Sequence, residues 1–181
     1  MILVIGDTHI PDRAEWLPDE IVEFLKDKKF DIVICTGDLT SEKVLNYLKS
    51  LGRHFYVVEG NMDYLSLPRN QIIELEELKI GVIHGHGIYP RGDKKKLLKI
   101  AEDMKVDVLI SGHTHYPDVY FDDNKNILLL NPGSATGAWG GGGGSMIPSF
   151  MILRVKGRSV DIHLYELKER LELKSFSFNL R

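Results

Sequence analysis

Five short stretches of the chain place a glycine close to a side chain that can bind a metal ion. The clearest is Ser111-Gly112-His113-Thr114-His115, in which two imidazoles lie two residues apart directly after an apolar run. A His-X-His pair at a strand end can surround one metal ion or give one ring to each of two neighbouring ions. Two ligands do not complete a metal site. The other four stretches supply the remaining candidate ligands, which are Asp7, His9, Asp38, Asn61 and His84.

The seven candidate ligands form a chemically coherent set. Imidazole, carboxylate and amide oxygens suit Mn, Fe, Zn, Co or Ni, and no thiolate is needed. Seven ligands exceed one tetrahedral site but suit two ions that share a carboxylate, for which Asp38 is the natural bridge. We therefore expect two divalent ions per chain, with Mn as the first expectation and Ni, Zn, Fe, Co or Mg as alternatives. Any one stretch alone is also typical of a buried histidine or an ordinary turn, but five strand ends of one kind favour a shared site.

The elements that would position these residues alternate between strand and helix in the first third of the chain. Helices between apolar strands imply parallel pairing with right-handed crossovers, and ligands gather beyond the carboxyl ends of such strands. The candidate ligands can therefore converge although they span over a hundred positions. The patterns predict strands at 1–5, 31–35, 54–58, 71–76, 78–83, 106–110, 119–121, 127–130, 150–155 and 160–165, and helices at 17–28, 41–51 and 93–104.

From residue 71 onward the pattern changes to mostly strands, which predicts a second, mixed or antiparallel sheet. Two sheets packed together with helices outside is the simplest arrangement. We predict one α/β domain over residues 1–166, followed by a C-terminal extension over residues 167–181 that is mobile or docks a partner. The run Gly140–Gly144 is expected to be flexible, with a lid or a partner loop as the alternatives.

The bulk composition limits the class of protein. The net charge of −3 argues against broad nucleic-acid binding through the phosphate backbone. No apolar run approaches the roughly 20 residues of a membrane span, and the apolar first residues lack the basic leader of a signal peptide. The single Cys35 excludes an internal disulfide and fits a reducing compartment. We therefore expect a cytoplasmic protein without membrane insertion.

The order of the motifs resembles a known family. Gly-Asp-Thr-His, Thr-Gly-Asp-Leu, Gly-Asn-Met-Asp, His-Gly-His and Ser-Gly-His-Thr-His resemble the five motifs of calcineurin-like metallophosphoesterases. The resemblance extends to about residue 166 and is greatest to the small prokaryotic phosphodiesterases and to the retromer small subunit, which shares their fold. It implies a four-layer α/β/β/α sandwich of two mixed sheets flanked by helices.

The resemblance also implies a reaction and a division of the ligands. The chain would be a metal-dependent phosphodiesterase, a phosphoric diester hydrolase that cleaves small phosphodiesters or activated phosphoesters through attack of a metal-bridging hydroxide on phosphorus. One ion would be held by Asp7, His9, Asp38 and His115, and the other by Asp38, Asn61, His84 and His113.

One position departs from the family pattern. Many relatives have a histidine directly after the asparagine of the third motif, where it protonates the leaving group or stabilises charge. This chain has Met62 there, which cannot transfer a proton. General acid help is typically worth ~10²–10⁴-fold, so leaving groups of low pKa should be favoured here. His86 can substitute for the missing acid or can equally be a surface residue, which leaves Asn61 and His86 as the catalytic candidates.

Two functions of different classes stay open. The seven retained ligands favour a phosphodiesterase, whereas Met62 favours modest activity and keeps open a catalytically weak or inactive scaffold like the retromer small subunit. A phosphomonoesterase is a third option. The expected partner is a small phosphoester substrate, a homodimer is left open, and Arg13 and Arg91 are weaker candidates for substrate contact because they follow strand ends.

Overall fold

A computed structural model describes residues 1–181, in which eleven strands form two sheets. The first sheet has the strand order β11-β10-β9-β1-β2-β3 and the second β4-β5-β6-β8-β7. The elements are β1 (Ile2–Ile5), α1 (Asp19–Lys26), β2 (Phe30–Cys35), α2 (Glu42–Ser50), β3 (Gly52–Val57), β4 (Asn70–Leu75), β5 (Leu78–Ile83), α3 (Lys94–Met104), β6 (Val108–Ile110), β7 (Asp118–Asp122), β8 (Ile127–Asn131), β9 (Ser149–Lys156), β10 (Ser159–Leu167) and β11 (Leu171–Asn179).

Both sheets are mixed, as the sequence predicts. In the first sheet β1, β2 and β3 are parallel, while β9, β10 and β11 continue the sheet in antiparallel pairs. In the second sheet β5, β6 and β8 are parallel, and β4 and β7 close the two edges as antiparallel strands. The carboxyl ends of the parallel strands that precede the five motifs therefore lie together at one edge of each sheet.

Three apolar clusters separate four layers. The largest has 19 buried residues and fills the space between the two sheets, where Val4 and Ile34 of the first sheet meet Ile80 and Ile110 of the second. A cluster of 16 buried residues packs α1 and α2 on the outer face of the first sheet, and one of 8 packs α3 on the outer face of the second. The predicted α/β/β/α sandwich is confirmed.

Local sequence signals explain where the helices begin. The Ser41 side chain accepts a hydrogen bond from the Val44 N–H at the start of α2, and Asp93 accepts one from the Lys96 N–H at the start of α3. These side chains satisfy N–H groups that lack a partner in the first helical turn. None of the three helices has the length and the apolar character that crossing a membrane requires.

The end of the chain corrects one prediction. The residues expected to form a mobile or partner-docking extension instead form β11, which pairs antiparallel with β10 from Ser159↔Asn179 to Leu167↔Leu171. Phe176 and Phe178 pack against the core between the sheets. The mobile alternative was wrong, whereas partner docking stays a prediction. An edge strand needs few buried side chains, so the charged residues of this segment hide its strand pattern in the sequence.

Candidate metal centre

The five motif loops meet above the carboxyl edge of the two sheets. Hydrogen bonds from the Asp7 N–H to the Gly37 carbonyl (2.9 Å) and from the His9 N–H to the Asp38 carbonyl (3.0 Å) join the loops after β1 and β2. The His113 N–H donates to Asp7 Oδ1 at 3.1 Å, which joins the loop after β6 to the first sheet. Backbone contacts therefore bring ligands from both sheets to one place.

The first group of converging side chains is fully buried. It comprises Asp7, His9, Asp38 and His115, whose ligand atoms all lie within 4.8 Å of one another. The Nε2 atoms of His9 and His115 are 3.1 Å apart. His9 Nε2 lies 3.4 Å from Asp38 Oδ2, and His115 Nε2 lies 3.3 Å from Asp7 Oδ1.

The second group shares Asp38 with the first. The ligand atoms of Asp38, His84 and His113 lie within 4.8 Å of one another. His84 Nε2 is 3.3 Å from Asp38 Oδ2 and 3.1 Å from the Asn61 side-chain oxygen. The structure thus brings together all seven predicted ligands in the two predicted groups, with Asp38 between them. Their role as ligands stays a prediction.

The hydrogen bonds of two histidines test whether this arrangement fits metal ions. His84 Nδ1 lies 2.7 Å from the Thr36 carbonyl oxygen and His115 Nδ1 lies 2.6 Å from the Ala138 carbonyl oxygen. These carbonyls can only accept, so each Nδ1 carries a proton, and the lone pair that Nε2 has in the neutral form of each ring is the one that a metal ion would use. Nε2 of His84 faces the Asp38 carboxylate, and Nε2 of His115 faces the Asp7 carboxylate. Ionised carboxylates, like carbonyls, only accept hydrogen bonds. A backbone carbonyl that fixes the other ring nitrogen is the usual support of a metal-binding histidine, so the residues fit divalent cations.

The charges of the cluster shift several pKa values. Burial lowers the pKa of His9 despite the nearby carboxylates, and burial with the charges of His84 and Arg91 lowers the pKa of His113 to about 4. Burial opposes ionisation of Asp38, but hydrogen bonding and charge from His84 outweigh it and lower the pKa of that carboxyl to about 2. These are the protonation states that metal ligands need.

His84 shifts in the opposite direction. Burial alone would lower its pKa, but the hydrogen bond to Asp38 and the charges of Asp7 and Asp38 raise it to about 9. A cation on Nε2, whether a proton or a metal ion, satisfies the same carboxylate, so the two compete for this position.

The ligand backbones are unusual in a way that sequence does not reveal. Five of the seven candidates adopt positive φ angles between 48° and 67°: Asp7, His9, Asp38, His113 and His115. Non-glycine residues in this region cost roughly 1–3 kcal/mol each and cluster at functional sites. The neighbouring glycines provide space, since a Cβ on Gly60 would lie 2.1 Å from Asp38 Oδ1 and one on Gly112 would lie 2.5 Å from Asp7 Oδ2.

Comparison with known proteins decides the family. Residues 1–158 match the calcineurin-like phosphoesterase superfamily domain. The chain belongs to the calcineurin-like phosphoesterase superfamily. A protein of Methanocaldococcus jannaschii, described as a probable metallophosphoesterase, is 52% identical over 136 residues, which are 75% of this chain and 68% of that protein.

Solved structures agree with this assignment. Wild-type Vps29 of Entamoeba histolytica, described as complexed with Zn²⁺, is 33% identical with a TM-score of 0.91 over 98% of this chain and 99% of that one. Vacuolar protein sorting 29 of Cryptosporidium parvum is 31% identical with a TM-score of 0.93 over 98% of this chain and 97% of that one. The predicted membership of the superfamily and the predicted fold are confirmed.

Sequence reasoning missed one residue that holds the candidate site together. The Asp63 carboxylate accepts hydrogen bonds from four backbone N–H groups, those of Asp38 (2.9 Å), Leu39 (2.8 Å), Thr40 (2.9 Å) and Gly60 (2.8 Å). It thereby fixes the loop that carries Asp38 to the loop that carries Asn61. The available signal was its place as the last residue of the Gly-Asn-Met-Asp motif.

The two positions with open chemistry lie beside the second group. The Met62 N–H donates to Asp38 Oδ1 at 2.8 Å, and Met62 also lines the cleft above the cluster. His86 is exposed, with its ring centroid 5.5 Å from that of His84 and 6.5 Å from that of His113. His86 therefore lies near the site without being part of either group, and its role as an acid stays a prediction.

Two arginines and the glycine run form the rim of the cleft. Arg13 and Arg91 line the same small cleft as His9, Asp38 and His113. Arg91 Nη1 donates to the Gly140 carbonyl at 2.5 Å, and Nη2 donates to the His113 carbonyl. The glycine run thus lies against the site and is attached to it by hydrogen bonds.

Proposed function

We propose that this member of the superfamily is a metal-dependent phosphodiesterase that hydrolyses small phosphodiesters or activated phosphoesters. The supporting observation is that two groups of candidate ligands, most of them buried, converge on Asp38, with Nε2 of His84 and of His115 facing carboxylate oxygens. The 52% identical relative, described as a probable metallophosphoesterase, supports the broader class of reaction.

The two groups would hold two divalent ions, with Mn²⁺ as the first expectation. Bound there, such ions supply Lewis-acid chemistry and positive charge for an anionic phosphate. The chain's own contribution is to fix His84 and His115 through the carbonyls of Thr36 and Ala138 and to bury most of the ligands away from bulk water. The exposed Asn61 amide and the Arg13 guanidinium border the cleft by which a phosphate would enter.

Met62 sets the expected substrate preference. A thioether cannot deliver a proton to a leaving alkoxide, so the enzyme should favour esters whose leaving group has a low pKa. His86 is near enough to the second group to be the alternative acid. If His86 acts in this way, replacing it with alanine should slow esters with poor leaving groups far more than activated aryl esters.

The test measures metal content and hydrolysis of bis(p-nitrophenyl) phosphate with added Mn²⁺ for the wild type and Asp38→Asn. We expect Asp38→Asn to lose bound metal and to lower kcat/KM by at least about 100-fold, because the shared ligand of both groups is weakened. Asp161→Asn, an exposed change on β10, is the matched control and should match the wild type. Equal activity of Asp38→Asn and wild type would contradict the proposal.

A non-catalytic scaffold is the second candidate, and the structural likeness to Vps29 favours it. Absence of both bound metal and hydrolysis with every divalent ion tried would support the scaffold over the enzyme. A preference for p-nitrophenyl phosphate over its diester would instead indicate a phosphomonoesterase.

A further inference from the structure

Trp139 is a large aromatic residue that stands exposed at the rim of the metal centre. Its side chain is 59% exposed, whereas the next residue, Gly140, lines the cleft. Its backbone is held on both sides, since the Trp139 carbonyl accepts from Arg13 Nη1 at 2.6 Å and the Ala138 carbonyl accepts from His115 Nδ1 at 2.6 Å. The backbone that carries the ring is therefore fixed beside the site, while much of the side chain's surface stays open.

The glycine run explains why Trp139 is the side chain presented here. A Cβ on Gly140 would lie 2.9 Å from His115 Cγ, and one on Gly144 would lie 3.0 Å from His115 Cβ. A Cβ on Gly142 would lie 3.0 Å from Arg91 Nη1. Bare backbone thus packs against a candidate ligand and an arginine, and the Trp139 indole is the one large side chain at the start of the run.

Arg13 supplies positive charge beside this ring. Its guanidinium carbon lies 5.9 Å from the Trp139 ring centroid, and the same side chain lines the cleft with His9 and Asp38. Nη1 of Arg13 donates to the Trp139 carbonyl. The planar guanidinium has further N–H groups whose geometry suits phosphate oxygens. An open aromatic face and a cation next to a phosphate site are the two features with which proteins bind a nucleotide of any base.

We propose that Trp139 and Arg13 form a nucleoside subsite, in which Trp139 stacks on the base of a nucleotide phosphodiester and Arg13 donates to its phosphate. This inference rests on the proposed function and narrows it to substrates that carry a planar base. A protein surface or a second copy of this chain would also cover an exposed indole. The charge of Arg13 at the cleft favours the nucleotide, and the experiments distinguish these occupants.

The first experiment measures binding without turnover. Trp16, the other tryptophan, packs against Tyr47 at 5.5 Å between ring centroids, so Trp16→Phe leaves Trp139 as the single tryptophan emitter. In this background with Mg²⁺, adenosine 5′-monophosphate should quench the emission saturably, because a stacked purine contacts the indole. Ribose 5-phosphate, which has the same phosphate and no base, should not quench. Absence of quenching by the adenosine nucleotide would overturn the subsite.

The second experiment measures specificity. Thymidine 5′-(p-nitrophenyl phosphate) and methyl p-nitrophenyl phosphate share a leaving group and differ in the nucleoside. Trp139→Ala should lower the ratio of their kcat/KM values roughly tenfold through KM, as expected for loss of one stacked base, and Trp139→Phe should keep most of it. Leu173→Ala, which removes another exposed apolar side chain on β11, is the control and should leave the ratio unchanged.

Three results decide against the subsite or against the reaction. If Trp139→Ala lowers kcat/KM equally for both esters, the ring only holds the glycine run in place. If sedimentation shows a wild-type dimer that dissociates in Trp139→Ala, a second copy of the chain covers the ring. Either result overturns the inference. Failure of the wild type to hydrolyse either ester would contradict the proposed function, whereas the fluorescence titration would still decide the subsite.

Discussion

At the scale of single residues, the site depends on close approach as much as on ligand type. Gly60 illustrates this, because it carries no functional group yet lies where any Cβ would overlap Asp38 Oδ1 at 2.1 Å. The Asp38 carboxylate is already approached by His9 and His84 and by the Met62 N–H. A Cβ on Gly60 would therefore displace the carboxylate from these three contacts.

Gly60→Ala should therefore weaken metal binding without changing a ligand. We expect the displaced carboxylate to lower Mn²⁺ affinity by 10- to 100-fold, the usual effect of disturbing a ligand's support, as measured by isothermal titration calorimetry. Gly157→Ala is the control, since it lies in the β9–β10 turn with φ of 56°. It should lose roughly 1–2 kcal/mol of stability from backbone strain and keep wild-type affinity. Wild-type affinity in Gly60→Ala would show that Asp38 is not held as tightly as the structure indicates.

At the scale of elements, the loops after β2 and β3 act as one unit because Asp63 joins them. Oδ1 of Asp63 accepts from Leu39 and Thr40, and Oδ2 accepts from Asp38 and Gly60. An amide in place of this carboxylate would turn its NH₂ group towards two of these N–H donors.

Asp63→Asn should destabilise the fold and loosen the site together. Each unsatisfied buried donor costs about 1–3 kcal/mol, so we expect the free energy of unfolding in urea to fall by roughly 2–4 kcal/mol. Metal affinity should fall as well, because Asp38 lies on the freed loop. Asp118→Asn, in which a half-exposed carboxylate loses an ion pair with Lys94, serves as control and should change stability by less than about 1 kcal/mol. Loss of stability without loss of affinity would separate the two roles that the structure gives to Asp63.

The elements also show what the sequence could and could not predict. Apolar runs that end in a glycine and a candidate ligand predict the parallel strands and the seven converging residues. They do so because both signals, the apolar run and the ligand type, are visible within a few consecutive residues. The carbonyl of Ala138 that orients His115, and the attachment of the glycine run through Arg91, could not be predicted. These contacts join residues 23 and 49 positions apart through backbone atoms, which every residue has, so no residue type signals them.

At the scale of the whole molecule, the candidate ligands connect the two sheets. Asp7, Asp38 and Asn61 follow strands of the first sheet, whereas His84 and the two histidines of the fifth motif follow strands of the second. An ion bound by both sets would be lost when the sheets separate, so metal binding should stabilise the whole fold.

Saturating metal should therefore raise the melting temperature. At a free concentration 100 times Kd, one ion that binds only the folded state adds about 2.7 kcal/mol, which corresponds to roughly 5–10 °C for a domain of this size. Differential scanning fluorimetry of chelator-treated protein with and without Mn²⁺ measures this shift, and Asp38→Asn should show little of it. An unchanged melting temperature in the wild type would contradict binding across the two sheets.

The C-terminal strand β11 provides a second connection between the sheets, at their edge strands. Phe178 of β11 contacts Phe121 of β7 at 5.3 Å between ring centroids, so the edge strand of the first sheet packs on the edge strand of the second. Arg181 is joined to Asn126 in the β7–β8 turn by backbone-to-amide hydrogen bonds of 2.9 and 2.8 Å. A mobile extension would make none of these contacts.

Phe178→Ala should thus cost stability that Leu173→Ala on the same strand does not. Truncating a fully buried phenylalanine to alanine costs about 3–5 kcal/mol of stability. For this partly buried ring we expect a loss of roughly 2–3 kcal/mol in the free energy of unfolding in urea. Leu173 is 50% exposed, and its truncation should change stability by no more than about 0.5 kcal/mol. Mn²⁺ affinity should be unchanged in both variants, because no candidate ligand belongs to β10 or β11. If Phe178→Ala were as stable as Leu173→Ala, the last strand would not be part of the folded core, and the extension predicted from the sequence would be the better description.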